Sequence, residues 1–168
     1  MDLEKTARPS NALDEETWGQ SWLLEKIIPE YQTTVIFGDE DAYKTFVSIS
    51  LAFQIQNGLT DLAETKKTGV LYLCLENHHG FLPRIEAINQ LHENLEPIFV
   101  DKDKFDICND EDVVHVAKYC KRNRFGFLVI DTLSQAIHEG DESSASVGRA
   151  VRNAFTIFNT NNITVLAV

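Results

Sequence analysis

Short apolar runs alternate with longer amphipathic stretches along most of the chain. Five runs rich in β-branched and aromatic residues have the length of buried strands: Thr33–Phe37, Val70–Leu75, Pro97–Val100, Phe125–Ile130 and Ile163–Val168. Between them, apolar residues recur every three or four positions, which predicts helices over Thr45–Gln56, Phe81–Leu95, Asn109–Lys121 and Ser146–Phe158. Strands that alternate with helices of this length form βαβ units. The pattern therefore predicts an α/β fold, a mainly parallel sheet with helices on both faces.

The two ends of the chain depart from this pattern. Residues 1–17 are polar and rich in acids, so we expect a flexible leader followed by one domain over residues 18–168. The final segment, Ile163–Val168, is an almost unbroken apolar run, and natural domains rarely stop on such a segment. We therefore expect a core that is cut short at its C-terminal end.

Composition and charge narrow the class of protein. The 168 residues suit one domain, and 26 acids against 15 bases give a net charge of −11. A protein that coats nucleic acid needs the opposite sign, because lysine and arginine supply most nonspecific affinity. Three scattered cysteines without a CxxC pair argue against a disulfide scaffold or a zinc ribbon. No apolar run approaches the ~20 residues of a membrane span, so we expect a cytoplasmic protein without a membrane segment.

The junction between the first predicted strand and helix carries a motif for phosphate binding. Gly38–Thr45 keeps the P-loop spacing G-x-x-x-x-G-K-S/T, with Tyr43 in place of the second glycine. In that motif main-chain N–H groups surround phosphates, the lysine faces the outer phosphates and the hydroxyl binds Mg²⁺. Three carboxylates in the loop would oppose a triphosphate, so an ordinary acidic strand–turn–helix is the alternative. The predicted nucleotide-binding positions are Gly38, Asp39, Glu40, Asp41, Ala42, Tyr43, Lys44, Thr45 and Phe46.

Two carboxylates follow later strands. Four apolar residues precede Asp131, the Walker B form, and Asp131 stands at the carboxyl end of a strand, where parallel sheets bind ligands. There it can hold Mg²⁺ through water while Thr45 binds the ion directly. Glu76 follows the strand Val70–Leu75 and can orient or deprotonate an attacking water. The alternative for Glu76 is an ordinary surface turn residue.

Taken in order, these segments resemble the RecA-like ATPases of the RepA-type hexameric replicative helicase group, relatives of the RadA and KaiC modules. The resemblance covers about residues 20–168 and rests on Trp22–Pro29, Gly38–Phe46, Val70–Glu76 with Arg84, Phe127–Leu133 and Asp141–Gly148. It implies a RecA-like P-loop NTPase core that binds ATP through Lys44 and Thr45. It also implies Mg²⁺ coordination by Thr45 and Asp131, and water activation by Glu76. Lys44 and Glu76 are the catalytic candidates.

The resemblance leads us to expect an ATPase that works on DNA. The chain is expected to bind ATP and ADP and to use hydrolysis for DNA remodelling or helicase action in a homo-oligomer, with DNA contacts from segments beyond the chain end. Two alternatives stay open. Tyr43 and the acidic loop favour a regulatory module that binds nucleotide but barely hydrolyses it. A degenerate scaffold that has lost nucleotide binding is the other.

Overall fold

A computed structural model describes residues 19–39, 41–76, 78–92, 94–138 and 144–168. The leader predicted over residues 1–17 lies outside the described residues, as does Glu40 of the predicted phosphate-binding loop. Within the described ranges, no helix is long and apolar enough to cross a membrane.

A five-stranded parallel sheet forms the centre of the described structure. Its strands are β3 (Thr33–Val35), β4 (Gly69–Cys74), β5 (Phe99–Asp101), β6 (Phe125–Asp131) and β7 (Thr164–Ala167). The helices are α1 (Lys44–Asn57), α2 (His78–Leu91), α3 (Asp110–Asn123) and α4 (Ala145–Thr160). An antiparallel hairpin of β1 (Trp22–Leu24) and β2 (Ile28–Pro29) precedes the sheet. The predicted α/β class and parallel sheet are confirmed.

The order of the strands in space is β3-β7-β6-β4-β5. The last strand, β7, therefore lies between β3 and β6: Val35 pairs with Ala167, and Ala167 also pairs with Ile130. Because adjacent strands are about 4.8 Å apart, the ends of β3 and β6 are separated by roughly 10 Å. The loop after β3 and the carboxylate that ends β6 consequently meet at the same edge of the sheet.

Apolar side chains fill both faces of this sheet, as the alternation along β4 shows. Val70, Tyr72 and Cys74 pack on the face covered by α1 and α2, together with Ile49 and Phe53 of α1 and Phe81 and Ile88 of α2. Leu71 and Leu73 point to the opposite face, with Val113 and Ala117 of α3 and Ala154 and Phe158 of α4. The predicted placement of helices on both faces is confirmed. The buried strands hold their carboxyl ends in fixed positions, which a site at this edge requires.

Several predicted boundaries are wrong, each for a physical reason. The strand predicted over Thr33–Phe37 as buried is instead an edge strand that ends at Val35, and Phe37 beyond it is 89% exposed. Among the described strands it pairs with β7 alone, so within the described part of the chain one side of it has no neighbouring strand. The helix predicted to run to Leu95 ends at Leu91, before Asn94, whose φ of 59° is incompatible with a right-handed helix.

Two local signals mark helix ends in the structure. The side chain of Asn109 caps α3 by accepting hydrogen bonds from the backbone N–H groups of Glu111 and Asp112. Gly58 ends α1 in the left-handed conformation, with a φ of 67° that glycine adopts without penalty. The loop between β3 and α1 is bordered by a strand that pairs with β7 and by a helix that begins at Lys44.

Candidate functional site

Lys44 is the first residue of α1, and its side chain folds back over the preceding loop. The Nζ atom donates hydrogen bonds to the backbone carbonyls of Gly38 at 2.9 Å and Asp39 at 2.8 Å. An ammonium group has three N–H donors, so these bonds use two of them. The positive charge lies on main-chain oxygens of the loop, and a phosphate that displaced them would gain a charge-assisted bond.

Tyr43 occupies the helix N-cap in a conformation that suits glycine. Its φ is 57° and its ψ is 21°, and its side chain makes no capping hydrogen bond. Asp41, two residues earlier, also has a positive φ of 63°. The left-handed conformation costs a residue with a Cβ roughly 1–2 kcal/mol. The loop therefore keeps the backbone path that a glycine would allow, although the side chain at this position is tyrosine.

Replacing Tyr43 with glycine is expected to stabilise the fold by about 1 kcal/mol, because it removes the left-handed penalty at a side chain that is 79% exposed. Urea unfolding of both proteins measures the change. Tyr43→Ala is the matched control, since it removes the ring but keeps the Cβ and hence the penalty. A glycine variant no more stable than the alanine variant would show that Tyr43 carries no such strain.

Asp131 ends β6 and is almost fully buried, with 2% of its surface exposed. Its Oδ1 atom accepts a hydrogen bond from the Thr45 hydroxyl at 3.3 Å, and its Oδ2 atom accepts one from the Tyr72 hydroxyl at 2.5 Å. Thr45 comes from the first turn of α1 and Tyr72 from the middle of β4. Three elements thus hold one carboxylate in place.

Burial dominates the electrostatics of this carboxylate and raises the pKa of Asp131 above its ordinary value. The hydrogen bonds from Tyr72 and Thr45 lower that pKa. Among nearby charges, Glu76 raises the pKa and Arg84 lowers it. Because burial penalises the ionised form, a cation bound beside Asp131 would stabilise the carboxylate.

Glu76 lies just beyond the end of β4, and its side chain is joined to the end of β6. The Thr132 hydroxyl donates a hydrogen bond to Glu76 Oε2 at 3.0 Å and lies 3.0 Å from the Ser134 hydroxyl. The peptide bond between Asp131 and Thr132 is cis. Glu76 itself is exposed. This carboxylate is therefore accessible to water, whereas the Asp131 carboxylate is buried.

A cleft of about 490 Å³ opens between the loop, α1, α2 and the ends of β4 and β6. It is lined by Asp41, Ala42, Tyr43, Lys44, Thr45, Phe46, Glu76, Arg84, Thr132 and Val168. Most of the residues predicted from the sequence thus come together at one site. Gly38 and Asp39 do not line the cleft but accept the bonds from Lys44, and Asp131 lies behind Thr45. Glu40 is outside the described residues.

The sequence matches the family model described as AAA domain over residues 3–168. The chain belongs to the AAA domain family. No curated protein matches the chain. Together with the five-stranded parallel sheet, membership establishes an α/β P-loop ATPase core with a RecA-like fold. The loop between β3 and α1 is the segment for which the sequence predicts the P-loop of this AAA domain.

The residues of this AAA domain fit the Mg²⁺ and ATP that P-loop families bind. Thr45 Oγ1 and Asp131 Oδ1 are hard oxygen donors 3.3 Å apart, the chemistry that Mg²⁺ prefers. Lys44 and the N-terminus of α1 supply positive charge and N–H groups for phosphates. Asp41 and Glu76 are the carboxylates of the described lining and oppose a triphosphate, whereas Asp39 is exposed outside the cleft. These residues therefore fit Mg²⁺ and ATP, although the carboxylates of the lining weaken the electrostatic attraction for the phosphates.

Sequence reasoning missed two polar residues behind the site and assigned no role to Arg84. Tyr72 and Ser48 are both fully buried, and their hydroxyl oxygens lie 2.7 Å apart. The available signal was a phenol within an otherwise apolar strand, because a buried hydroxyl must find a partner. Ser48 lies one turn after Thr45 on the inner face of α1, which is the corresponding signal on the helix. Arg84 is the cation that α2 contributes to the cleft.

Proposed function

We propose that this AAA domain binds ATP with Mg²⁺ in the cleft and hydrolyses it. One observation carries the proposal: Lys44 and Thr45 of α1 and Glu76 after β4 line the same cleft, and Asp131 of β6 bonds to Thr45 behind it, although the three elements are far apart in sequence. A surface lysine and two unrelated strand-end carboxylates would have no reason to meet. The convergence supports a site for phosphate, metal and water together.

Each residue has a distinct proposed role in binding. Lys44 moves from the carbonyls of the loop to the outer phosphates, where it balances charge. Thr45 would bind Mg²⁺ directly, and Asp131 would hold it through water. The ion would supply positive charge beside the terminal phosphates. The other predicted nucleotide-binding positions complete the proposed loop around the phosphates: Gly38, Asp39, Glu40, Asp41, Ala42, Tyr43 and Phe46.

Glu76 is the proposed general base for hydrolysis. It is exposed to water, and the bond from Thr132 fixes one of its oxygens. In the proposed step, water attacks the terminal phosphorus, the bond to the ADP oxygen breaks, and Glu76 accepts the proton that the water loses. Lys44 stabilises the charge that develops on the transferred phosphoryl group. The products are ADP and inorganic phosphate.

We further propose that hydrolysis serves DNA remodelling or helicase action by a cytoplasmic homo-oligomer. The support is the order of segments that resembles the RepA-type helicase group. The net charge of −11 is compatible with this role only if a few loops make the DNA contacts.

A regulatory module that binds nucleotide without turnover is the second candidate. It is favoured by the Tyr43 side chain, which stands where the motif has its second glycine, and by Asp41 in the lining of the cleft, whose carboxylate would oppose a triphosphate. The test is phosphate release from Mg-ATP by the wild-type chain, with and without single-stranded DNA, beside a fluorescent-nucleotide titration and sedimentation. Turnover raised by DNA in an oligomer supports the ATPase proposal. Binding without turnover supports the regulatory module, and no binding at millimolar nucleotide would contradict both.

A further inference from the structure

We propose that Tyr72 is a positioning residue for the metal site, holding Asp131 in the orientation that Mg²⁺ requires. The inference rests on the proposed nucleotide-binding function and adds to it a residue that lies outside the cleft. Tyr72 is not among the residues that line the described cleft, and its hydroxyl bonds to Asp131 and Ser48, so it would act on the metal through these neighbours.

Four residues from three elements form a network of hydrogen bonds around Asp131. Thr45 Oγ1 donates to one oxygen of Asp131 at 3.3 Å, and Tyr72 donates to the other at 2.5 Å. The Ser48 hydroxyl lies 2.7 Å from the Tyr72 oxygen and 2.9 Å from the backbone carbonyl of Thr45, and its single proton can be donated to either. The network joins the first turn of α1 to the end of β6 through the phenol of β4.

These hydrogen bonds constrain both oxygens of the Asp131 carboxylate. Asp131 is 2% exposed, and Tyr72 and Ser48 are fully buried, so water does not replace these bonds at low cost. With Oδ2 held by the phenol, rotation of the carboxylate is restricted and Oδ1 stays beside Thr45. Partners that orient a metal ligand in this way are worth 10–100-fold in metal affinity.

The aromatic ring of Tyr72 is held independently of its hydroxyl. It packs edge-on against Phe81 of α2, with ring centroids 5.0 Å apart. Tyr72→Phe therefore keeps the packing of the core and removes only the donor to Asp131. The phenol oxygen, not the ring, is the part of the residue that the proposal concerns.

The experiment measures ADP binding by calorimetry at a series of Mg²⁺ concentrations and again in EDTA. For Tyr72→Phe we expect the Mg²⁺ concentration that gives half of the metal-dependent gain in affinity to rise about 10-fold or more. The affinity for ADP in EDTA should be unchanged, whereas a general loss of structure would lower it. Tyr119→Phe is the matched control, because it removes a phenol hydroxyl far from Asp131. The Tyr119 ring belongs to α3 and packs on Phe125 on the other face of the sheet.

Ser48→Ala provides a second, milder test, since it removes the partner that holds the phenol and leaves the bond to Asp131. We expect a smaller rise in the Mg²⁺ concentration that gives half of the metal-dependent gain in ADP affinity. If Tyr72→Phe does not fold, Ser48→Ala tests the positioning role in its place. An unchanged Mg²⁺ requirement, or an equal loss of affinity in EDTA, would overturn the positioning role alone. A wild-type chain that binds no ADP at any Mg²⁺ concentration would overturn the proposed function as well.

Discussion

Lys44→Ala is expected to abolish the thermal stabilisation that Mg-ATP gives to the wild-type AAA domain. The Lys44 ammonium lies over the loop between β3 and α1, bonded to the carbonyls of Gly38 and Asp39, and Lys44 is the one lysine that lines the described cleft. A ligand at 100 times its dissociation constant stabilises a protein by about 2.7 kcal/mol. For a chain of this size that is a rise in Tm of roughly 5–10 °C. With the lysine gone and Asp41 still in the cleft, we expect a rise of less than about 1 °C.

Differential scanning fluorimetry with and without Mg-ATP measures this change. Lys118→Ala on the exposed surface of α3 is the matched control, since it also replaces a helical lysine with alanine and should keep the full shift. The melting temperature of Lys44→Ala without nucleotide should lie close to that of the wild type, because the two bonds it loses are exposed. A full nucleotide shift in Lys44→Ala would show that the P-loop lysine is not used.

The second large effect is expected from Glu76→Gln, which should keep nucleotide binding and reduce phosphate release by about 100-fold or more. Glutamine has the size of glutamate, and its carbonyl oxygen can still accept the bond from Thr132. It cannot take a proton from water at neutral pH. The variant thus separates the proposed base from a residue that only shapes the cleft.

The measurement combines phosphate release with the thermal shift on the same preparation. Glu86→Gln, an exposed residue of α2, is the control for a change of one charge near the site. Unchanged turnover in Glu76→Gln would refute the role as base. Loss of the thermal shift in this variant would instead place Glu76 among the binding residues.

The parts of the fold that local sequence encodes could be predicted. The apolar run that ends at Asp131 and the cap at Asn109 specify their elements through nearest neighbours in the chain. The position of β7 between β3 and β6 could not be read from the residues directly, because strand order depends on contacts across more than a hundred positions. The β1–β2 hairpin has strands too short to show a period.

The candidate site likewise contains residues that the local sequence marks and residues that only the packed structure brings together. Lys44, Thr45 and Asp131 belong to motifs with fixed spacing or placement, so the sequence pointed to them. Tyr72 and Ser48 contribute through hydrogen bonds that exist only when α1, β4 and β6 are packed together. Nothing near either residue in the sequence marks its partner. The hydrogen bonds that link them to Asp131 are therefore visible only in the folded structure.

The central position of β7 has a consequence for how the chain is made. A ribosome produces the loop between β3 and α1 early, yet β3 pairs with no other strand of the described sheet than β7, which is the last described strand to be synthesised. Until Thr164–Ala167 has been translated, the edge of β3 and the edge of β6 both lack their neighbour. Assembly of the candidate site is therefore a late event in biosynthesis, and the nascent chain carries two open strand edges that are prone to wrong pairing.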